Sequence, residues 1–138
     1  MELNDYQKKA METKMDSCDN FSYMMLNLVG EVGEFASKVA KSIRRKEAMI
    51  GTYNPMGEGL QKSKHNYLLF LGETEEEASE SMQRITMDMA KEAGDILWQL
   101  AGLCDVMGWS LEDVAQMNLD KLASRKQRGV IDGNGDNR

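Results

Sequence analysis

Two stretches decide the fold of this chain: LVGEVGEFASKVAK at residues 28–41 and KEAGDILWQLAGLCDVMG at residues 91–108. In each stretch, apolar residues recur every three or four positions, the repeat that places side chains along one side of an α-helix. Each stretch also carries two acidic residues three positions apart, Glu31 with Glu34 and Glu92 with Asp95. Both stretches therefore predict amphipathic helices that present paired carboxylates.

The boundaries of these two helices follow from capping residues. Asp19 or Asn20 can cap the first of them, which is predicted to run to about Arg45. A Thr-Glu-Glu-Glu run beginning at Thr74 predicts the start of the other, which should end near Met107, before Gly108. The composition also favours helices, since the chain contains one proline and few β-branched residues.

Two shorter helices are predicted outside these stretches. Residues 2–16 show apolar side chains at helical spacing. Ser110 with Asp113 forms a capping-box-like start for a last helix, which runs from Leu111 to about Lys126. Residues 127–138 are rich in Gly, Asn and Asp and predict an irregular tail. The predicted fold is therefore an all-α four-helix bundle in a single domain, residues 1–138.

A long insert, residues 44–79, is predicted between the second and third main helices. Its first part contains Pro55 and several glycines, a density of helix breakers that indicates a loop. An apolar patch, Tyr67–Leu71, follows and would suit a lid over a site or an arm that reaches a neighbouring subunit. A merely decorative insertion is equally compatible with the pattern.

The charge and composition exclude several classes of protein. A formal net charge of -6 argues against wrapping nucleic acid, which requires a basic surface. No apolar run approaches a membrane span or a signal peptide, and the two cysteines show no disulfide framework, so we expect a cytoplasmic protein. Twelve methionines and four helices of unequal length favour a homo-oligomer, a dimer or a tetramer.

The paired acids predict a candidate metal site. Residues three apart on a helix are neighbours on one face, so two helices with such pairs could form a cage of four carboxylates. Oxygen-only ligation suits Mg²⁺, with Mn²⁺ as a substitute. The alternative is a solvated helix face, where such acid pairs are common. Glycines beside both pairs, Gly30, Gly33 and Gly94, favour the site modestly because glycine is costly inside a helix.

Four segments taken together resemble the MazG-like all-α nucleoside triphosphate pyrophosphohydrolases: YQKKAM, LVGEVGEFASKVAK, KEAGDILWQLAGLCDVMGWSLEDVAQMN and NLDKLASRKQRG. The resemblance covers the four helices in order and about two-thirds of the chain. Its centre is the family's Glu-x-x-Glu then Glu-x-x-Asp pattern, here Glu31, Glu34, Glu92 and Asp95. Residues 35–91 separate the two pairs, a longer interval than in compact family members.

The resemblance implies an enzyme that cleaves a nucleoside triphosphate to the monophosphate and pyrophosphate. It implies that the four acids hold Mg²⁺ against the triphosphate, with Glu31 or Glu34 preferred as general base. It also places Asn118, Lys121 and Arg125 near the substrate, although a solvated helix end explains these three equally well. Lys38 is a further candidate for binding phosphate, with a solvated helix charge as its alternative.

Two other functions are compatible with the same sequence. Hydrolysis of phosphoribosyl-ATP would use the same chemistry on a related helical fold. A non-catalytic helical assembly or partner-binding module would leave the acids solvated and use the methionine-rich faces to bind another chain.

Overall fold

The computed structural model describes residues 1–44 and 74–131, and these ranges are largely helical. Their α-helices are α1 (Leu3–Met11), α2 (Phe21–Arg44), α3 (Glu75–Val106) and α4 (Leu111–Gln127), with a 3₁₀ helix, Asp16–Cys18, between α1 and α2. Neither described range contains a β-strand, which confirms the predicted all-α class. None of these helices combines the length and apolar character needed to cross a membrane.

The first helix is shorter than predicted, because α1 ends at Met11 and not at residue 16. The backbone N–H groups of Thr13 and Lys14 donate to the carbonyls of Ala10 and Met11, both at 3.1 Å, and these i to i−3 bonds tighten the last turn. The Lys14 ammonium then pairs with Asp19 at 2.6 Å and Asp105 at 2.5 Å. The local hydrogen bonds and the long-range ion pair with Asp105 together override the helical spacing of the sequence.

Side chains cap three helices as their sequences predict. Asn20 Oδ1 accepts a hydrogen bond from the backbone N–H of Tyr23 at 2.8 Å, at the start of α2. At the start of α3, the backbone N–H of Thr74 donates to Glu77 at 2.9 Å, and Thr74 Oγ1 accepts from the Glu77 N–H at 3.3 Å. Ser110 Oγ likewise accepts from a backbone N–H at 3.1 Å and caps α4. These bonds satisfy N–H groups that have no partner within the helix.

Glycine in the left-handed conformation follows both α3 and α4. Gly108 has a φ of 70°, and Gly129 has a φ of 67°. After α3, the Trp109 N–H donates to the carbonyl of Cys104 at 2.8 Å and the Gly108 N–H donates to Asp105 at 3.0 Å. This pair of bonds is the Schellman motif, which requires a positive φ that glycine adopts without strain. Gly108 therefore ends α3 as predicted.

The described chain falls into two compact units, and the first comprises residues 1–25 and 98–138. Its core contains Ala101, Cys104 and Leu111, with partly buried apolar side chains from α1 and α4 packed against it: Tyr6, Met11 and Val114. Burial raises the pKa of the Cys104 thiol. Cys18, in contrast, is half-buried. Cys104 is therefore a core residue of this unit.

Polar bonds join α1 to the rest of this unit. The Trp98 indole N–H lies 3.1 Å from the Ala10 carbonyl and 3.0 Å from Thr13 Oγ1. The Gln7 amide donates to the Trp109 carbonyl at 2.9 Å and accepts from the backbone N–H of Leu111 at 2.8 Å. These contacts hold the short helix α1 against segments that lie far from it in the sequence.

Seven apolar residues recur at helical spacing in the stretch of residues 91–108, a stripe that is expected to be buried. In α3, Ala101 and Cys104 of this stripe are buried, whereas the others are half-buried or exposed: Ala93, Ile96, Leu97, Leu100 and Met107. The two buried positions are those that face the side chains of α1 and α4. Gln99 is buried instead, although the sequence pattern places it outside the stripe.

The second unit comprises residues 26–97 and includes the C-terminal part of α2 and the N-terminal part of α3. Along α2, Leu26, Val29 and Val32 are exposed, while Leu28 and Phe35 are half-buried. Several large apolar side chains of α2 are therefore exposed. All four predicted metal ligands belong to this unit.

Most of the predicted insert, residues 44–79, lies outside the described residues. Residue 44 ends α2, and residues 75–79 belong to α3. The expectations for the loop, for Tyr67–Leu71 and for a lid or arm fall outside the described ranges. In the predicted tail, residue 127 is still helical, and residues 128, 129 and 131 form turns. Residues 132–138 lie outside the described ranges.

Replacement of Trp98 by phenylalanine tests the attachment of α1. Trp98→Phe keeps an aromatic ring but removes the N–H that bonds to Ala10 and Thr13, so we expect a loss of about 1 kcal/mol in the free energy of unfolding. The matched control is Trp109→Phe, since Trp109 is half exposed. Urea denaturation of both variants measures the difference, and equal midpoints would contradict this account of α1.

Candidate metal centre

Three of the four predicted ligands come together within the unit of residues 26–97. Helix α2 contributes Glu31 and Glu34, and α3 contributes Glu92. One carboxylate oxygen from each of these residues lies within 4.8 Å of the other two. We call these three residues the acidic cluster. Asp95 lies outside this group of three.

The members of the acidic cluster differ in their access to solvent. Glu34 is exposed and Glu31 is half-buried, whereas Glu92 is only 8% exposed. A buried carboxylate needs compensation by hydrogen bonds or opposite charge. Glu92 receives it from Lys38, whose Nζ lies 2.6 Å from Glu92 Oε1. Glu31 Oε1 accepts a hydrogen bond from the Asn27 side chain at 3.2 Å.

The pKa of the Glu31 carboxyl is raised above its ordinary value. Burial is the largest cause, followed by the negative charges of Asp95 and Glu34, and the hydrogen bond from Asn27 opposes them. Glu92 adds a smaller repulsive effect. Asp95 is therefore near enough for its charge to act on Glu31. Addition of positive charge at this position would relieve the repulsion.

The donor set fits a hard divalent cation. Around Mg²⁺, oxygen ligands at about 2.0–2.1 Å lie about 3 Å apart when adjacent and about 4 Å apart when opposite. The oxygens of the acidic cluster, within 4.8 Å of one another, need only small side-chain shifts to meet one ion. The donors are all carboxylates, which favours Mg²⁺ or Mn²⁺ over softer metals.

Lys38 lies beside the acidic cluster, as its place on α2 predicts, but it contacts a protein carboxylate. The hydrogen bond to Glu92 raises the pKa of the Lys38 ammonium, and the charges of Glu92, Asp88 and Glu34 raise it further. Lys38 and its partners all belong to the same unit. The pattern of the sequence did not reveal this ion pair.

The other predicted substrate ligands lie on α4, in the unit of residues 1–25 and 98–138. Asn118 and Lys121 are exposed, but Arg125 is only 6% exposed. The burial of Arg125 was not expected, because the sequence predicted that this face of the last helix either binds substrate or is exposed to solvent. The role of these three residues in binding substrate stays a prediction.

Sequence reasoning missed two residues near the acidic cluster. Asn27 bonds to Glu31, and Asp88 adds its charge to the surroundings of Lys38. Each lies four residues before an acidic ligand, Asn27 before Glu31 and Asp88 before Glu92. The i, i+4 spacing could have identified both, because it places side chains on one helix face.

Comparisons with known proteins identify the family of this chain. The model of the MazG nucleotide pyrophosphohydrolase domain matches residues 61–130, a range that contains Glu92 and Asp95. The chain is also similar to the Gene 37 protein of Mycobacterium phage L5, with 34% identity over 145 residues that cover the whole of both chains. No solved structure matches the chain. The family model spans half of the sequence, and the chain belongs to the MazG nucleotide pyrophosphohydrolase family.

Proposed function

We propose that this chain is a Mg²⁺-dependent nucleoside triphosphate pyrophosphohydrolase. The reaction adds one water molecule across the α–β phosphoanhydride bond and yields a nucleoside monophosphate and pyrophosphate. The observation that carries the proposal is the acidic cluster, in which Glu31, Glu34 and Glu92 converge within 4.8 Å in a member of a nucleotide pyrophosphohydrolase family. Mn²⁺ is expected to replace Mg²⁺ because it accepts the same oxygen ligands.

The acids have two roles in this proposal. Glu31, Glu34 and Glu92 would hold the cation, and Asp95 would complete the set from the next turn of α3. When bound, the cation would neutralise charge on the phosphates and lower the pKa of the attacking water. Glu31 or Glu34 would accept the proton that the water loses as it attacks. The leaving pyrophosphate carries the electron pair of the broken bond.

Basic and amide side chains would bind the remaining substrate groups. Lys38, beside the acidic cluster, is the proposed phosphate ligand on α2. Asn118, Lys121 and Arg125 are the proposed ligands on α4, where lysine and arginine suit phosphate oxygens. The negative charge of the whole chain, -6, is compatible with an anionic substrate only if cations reverse the local sign.

The proposed assembly is a homo-oligomer. Leu26 is 74% exposed and Val29 is 67% exposed, and both lie on α2 with other exposed apolar side chains. Apolar surface of this kind on an otherwise acidic chain favours burial against another subunit. The expected assembly is a dimer or a tetramer.

A hydrolysis screen tests the proposed reaction. Purified protein with Mg²⁺ is incubated with ribo- and deoxynucleoside triphosphates, and pyrophosphate and orthophosphate are measured separately. We expect pyrophosphate and the matching monophosphate in equal amounts, and no product after chelation of the metal.

Other results of this screen would favour the alternatives. Phosphoribosyl-ATP as the only substrate would keep the chemistry and change the biological role. No release from any of these compounds with Mg²⁺ or Mn²⁺ would refute the proposed enzyme and favour a binding module.

Substitution of Glu34 tests the acidic cluster. Glu34→Gln removes a ligand charge without altering the core, so turnover should fall on the order of 100-fold or more while the helical circular dichroism is retained. The matched control is Glu80→Gln, an exposed acid on α3. Full activity of Glu34→Gln would eliminate the cluster as the catalytic site.

The same variant separates cation binding from folding. Without metal, Glu34→Gln should melt at or above the temperature of the unsubstituted protein, because one of three mutually repelling charges is gone. Added Mg²⁺ should raise the melting temperature of the unsubstituted protein more than that of the variant. Equal rises would show that Mg²⁺ binds elsewhere.

Light scattering after size exclusion tests the assembly. We expect the mass of a dimer or tetramer for the unsubstituted chain and a smaller mass for Leu26→Gln, which places a polar group on the exposed face of α2. A monomeric mass for the unsubstituted chain would contradict the proposal.

A further inference from the structure

The ion pair between Lys38 and Glu92 involves a carboxylate that is also a candidate metal ligand. Lys38 Nζ lies 2.6 Å from Glu92 Oε1, and Glu92 is a member of the acidic cluster. The two side chains differ in access, at 39% exposed for Lys38 and 10% for Glu92. The ammonium therefore enters from the solvent side to reach a carboxylate that is mostly buried.

We propose that Lys38 is an internal counter-cation, which holds Glu92 in the metal-free protein and releases it when a divalent cation binds. This inference rests on the proposed function, because it assumes that the acidic cluster binds the cation. Lys38 is a positioning residue in this scheme: it acts on the metal ligand Glu92 and then becomes available to the phosphates of the substrate.

The need for a counter-cation follows from the charges around Lys38. Glu92 is buried, and burial of an unpaired carboxylate is costly. Glu34 and Asp88 also act on the Lys38 ammonium, so several negative charges surround one positive charge. Without metal, Lys38 is the only cation that the described residues 26–44 and 74–97 bring into contact with the acidic cluster. Its removal would deprive Glu92 of the ion pair that these described residues provide.

The exchange of Lys38 for a divalent cation is feasible because the Lys38 side chain is partly exposed to water, whereas Glu92 is mostly buried. Lysine is a flexible chain with a compact charge, and an ion pair that is partly exposed to water is readily broken. A divalent cation carries twice the charge and can be shared by all members of the acidic cluster. Because the Lys38 ammonium and the divalent cation would bind the same carboxylate, they compete for Glu92.

The competition couples metal binding to substrate binding. While Lys38 holds Glu92, the affinity of the free protein for a cation is reduced. A bound triphosphate offers Lys38 another anionic partner, so cation and nucleotide would each favour the binding of the other. Such coupling is reciprocal by thermodynamic necessity.

Binding of Mn²⁺ to the metal-free full-length protein tests the inference without any assay of activity. Electron paramagnetic resonance measures free Mn²⁺ during a titration at constant ionic strength. Lys38→Met keeps the length of the side chain and removes its charge. We expect this variant to bind Mn²⁺ about three- to tenfold more tightly than the unsubstituted protein, since the competing cation is gone.

Two further variants separate competition from a general effect of charge. Lys38→Arg keeps a cation that can pair with Glu92, so its affinity for Mn²⁺ should stay within about twofold of the unsubstituted protein. Lys91→Met removes a positive charge from α3 that pairs with Asp88 at 3.2 Å, and it should change the affinity by less than about twofold. An equal gain in Lys91→Met and Lys38→Met would overturn the specific role of Lys38.

The titration distinguishes failure of the inference from failure of the proposed function. If the unsubstituted protein and Lys38→Met bind Mn²⁺ with equal affinity, Lys38 does not compete and the inference alone is wrong. Weaker binding of Mn²⁺ by Lys38→Met than by the unsubstituted protein would likewise show that the inference alone is wrong. If neither protein binds Mn²⁺, the acidic cluster is not a cation site, and the inference falls together with the proposed function.

Discussion

Mutual repulsion of carboxylates is the constraint on which the rest of this site depends. Glu31, Glu34 and Glu92 hold oxygens within 4.8 Å of one another, and Asp95 adds its charge at Glu31. Among the described residues of this unit, the amide of Asn27 at Glu31 and the ammonium of Lys38 at Glu92 offset this repulsion. Burial, followed by the charges of Asp95 and Glu34, still raises the pKa of the Glu31 carboxyl above its ordinary value. A site of this kind is poised to accept positive charge.

The sequence predicted those features that arise within one helix. Caps at Asn20, Thr74 and Ser110 depend on residues three apart, and the structure contains all three. The pairing of Glu31 with Glu34 depends on the same spacing. Convergence with Glu92 requires α2 and α3 to approach each other, and spacing within a helix carries no information about that approach. Family resemblance supplied this part of the prediction.

The missed features involve competition among polar groups. The first helix was predicted to reach residue 16 because its apolar spacing continues, but local hydrogen bonds turn the chain after Met11. The ion pair of Lys38 with Glu92 was not predicted. Arg125 was expected on an accessible face, and it is buried. In each case the outcome depends on partners distant in sequence or on a balance of several weak bonds.

Burial of Cys104 provides an internal reporter of folding. The chain has two cysteines, and Cys18 is half-buried while Cys104 is enclosed by the core of its unit. The thiolate is the reactive form, and burial raises the pKa of Cys104, so a thiol reagent would modify Cys18 first in the native protein. Modification of Cys104 would then require opening of the core. The rate of Cys104 modification would therefore report the opening of that unit. No cysteine would have to be introduced for this measurement.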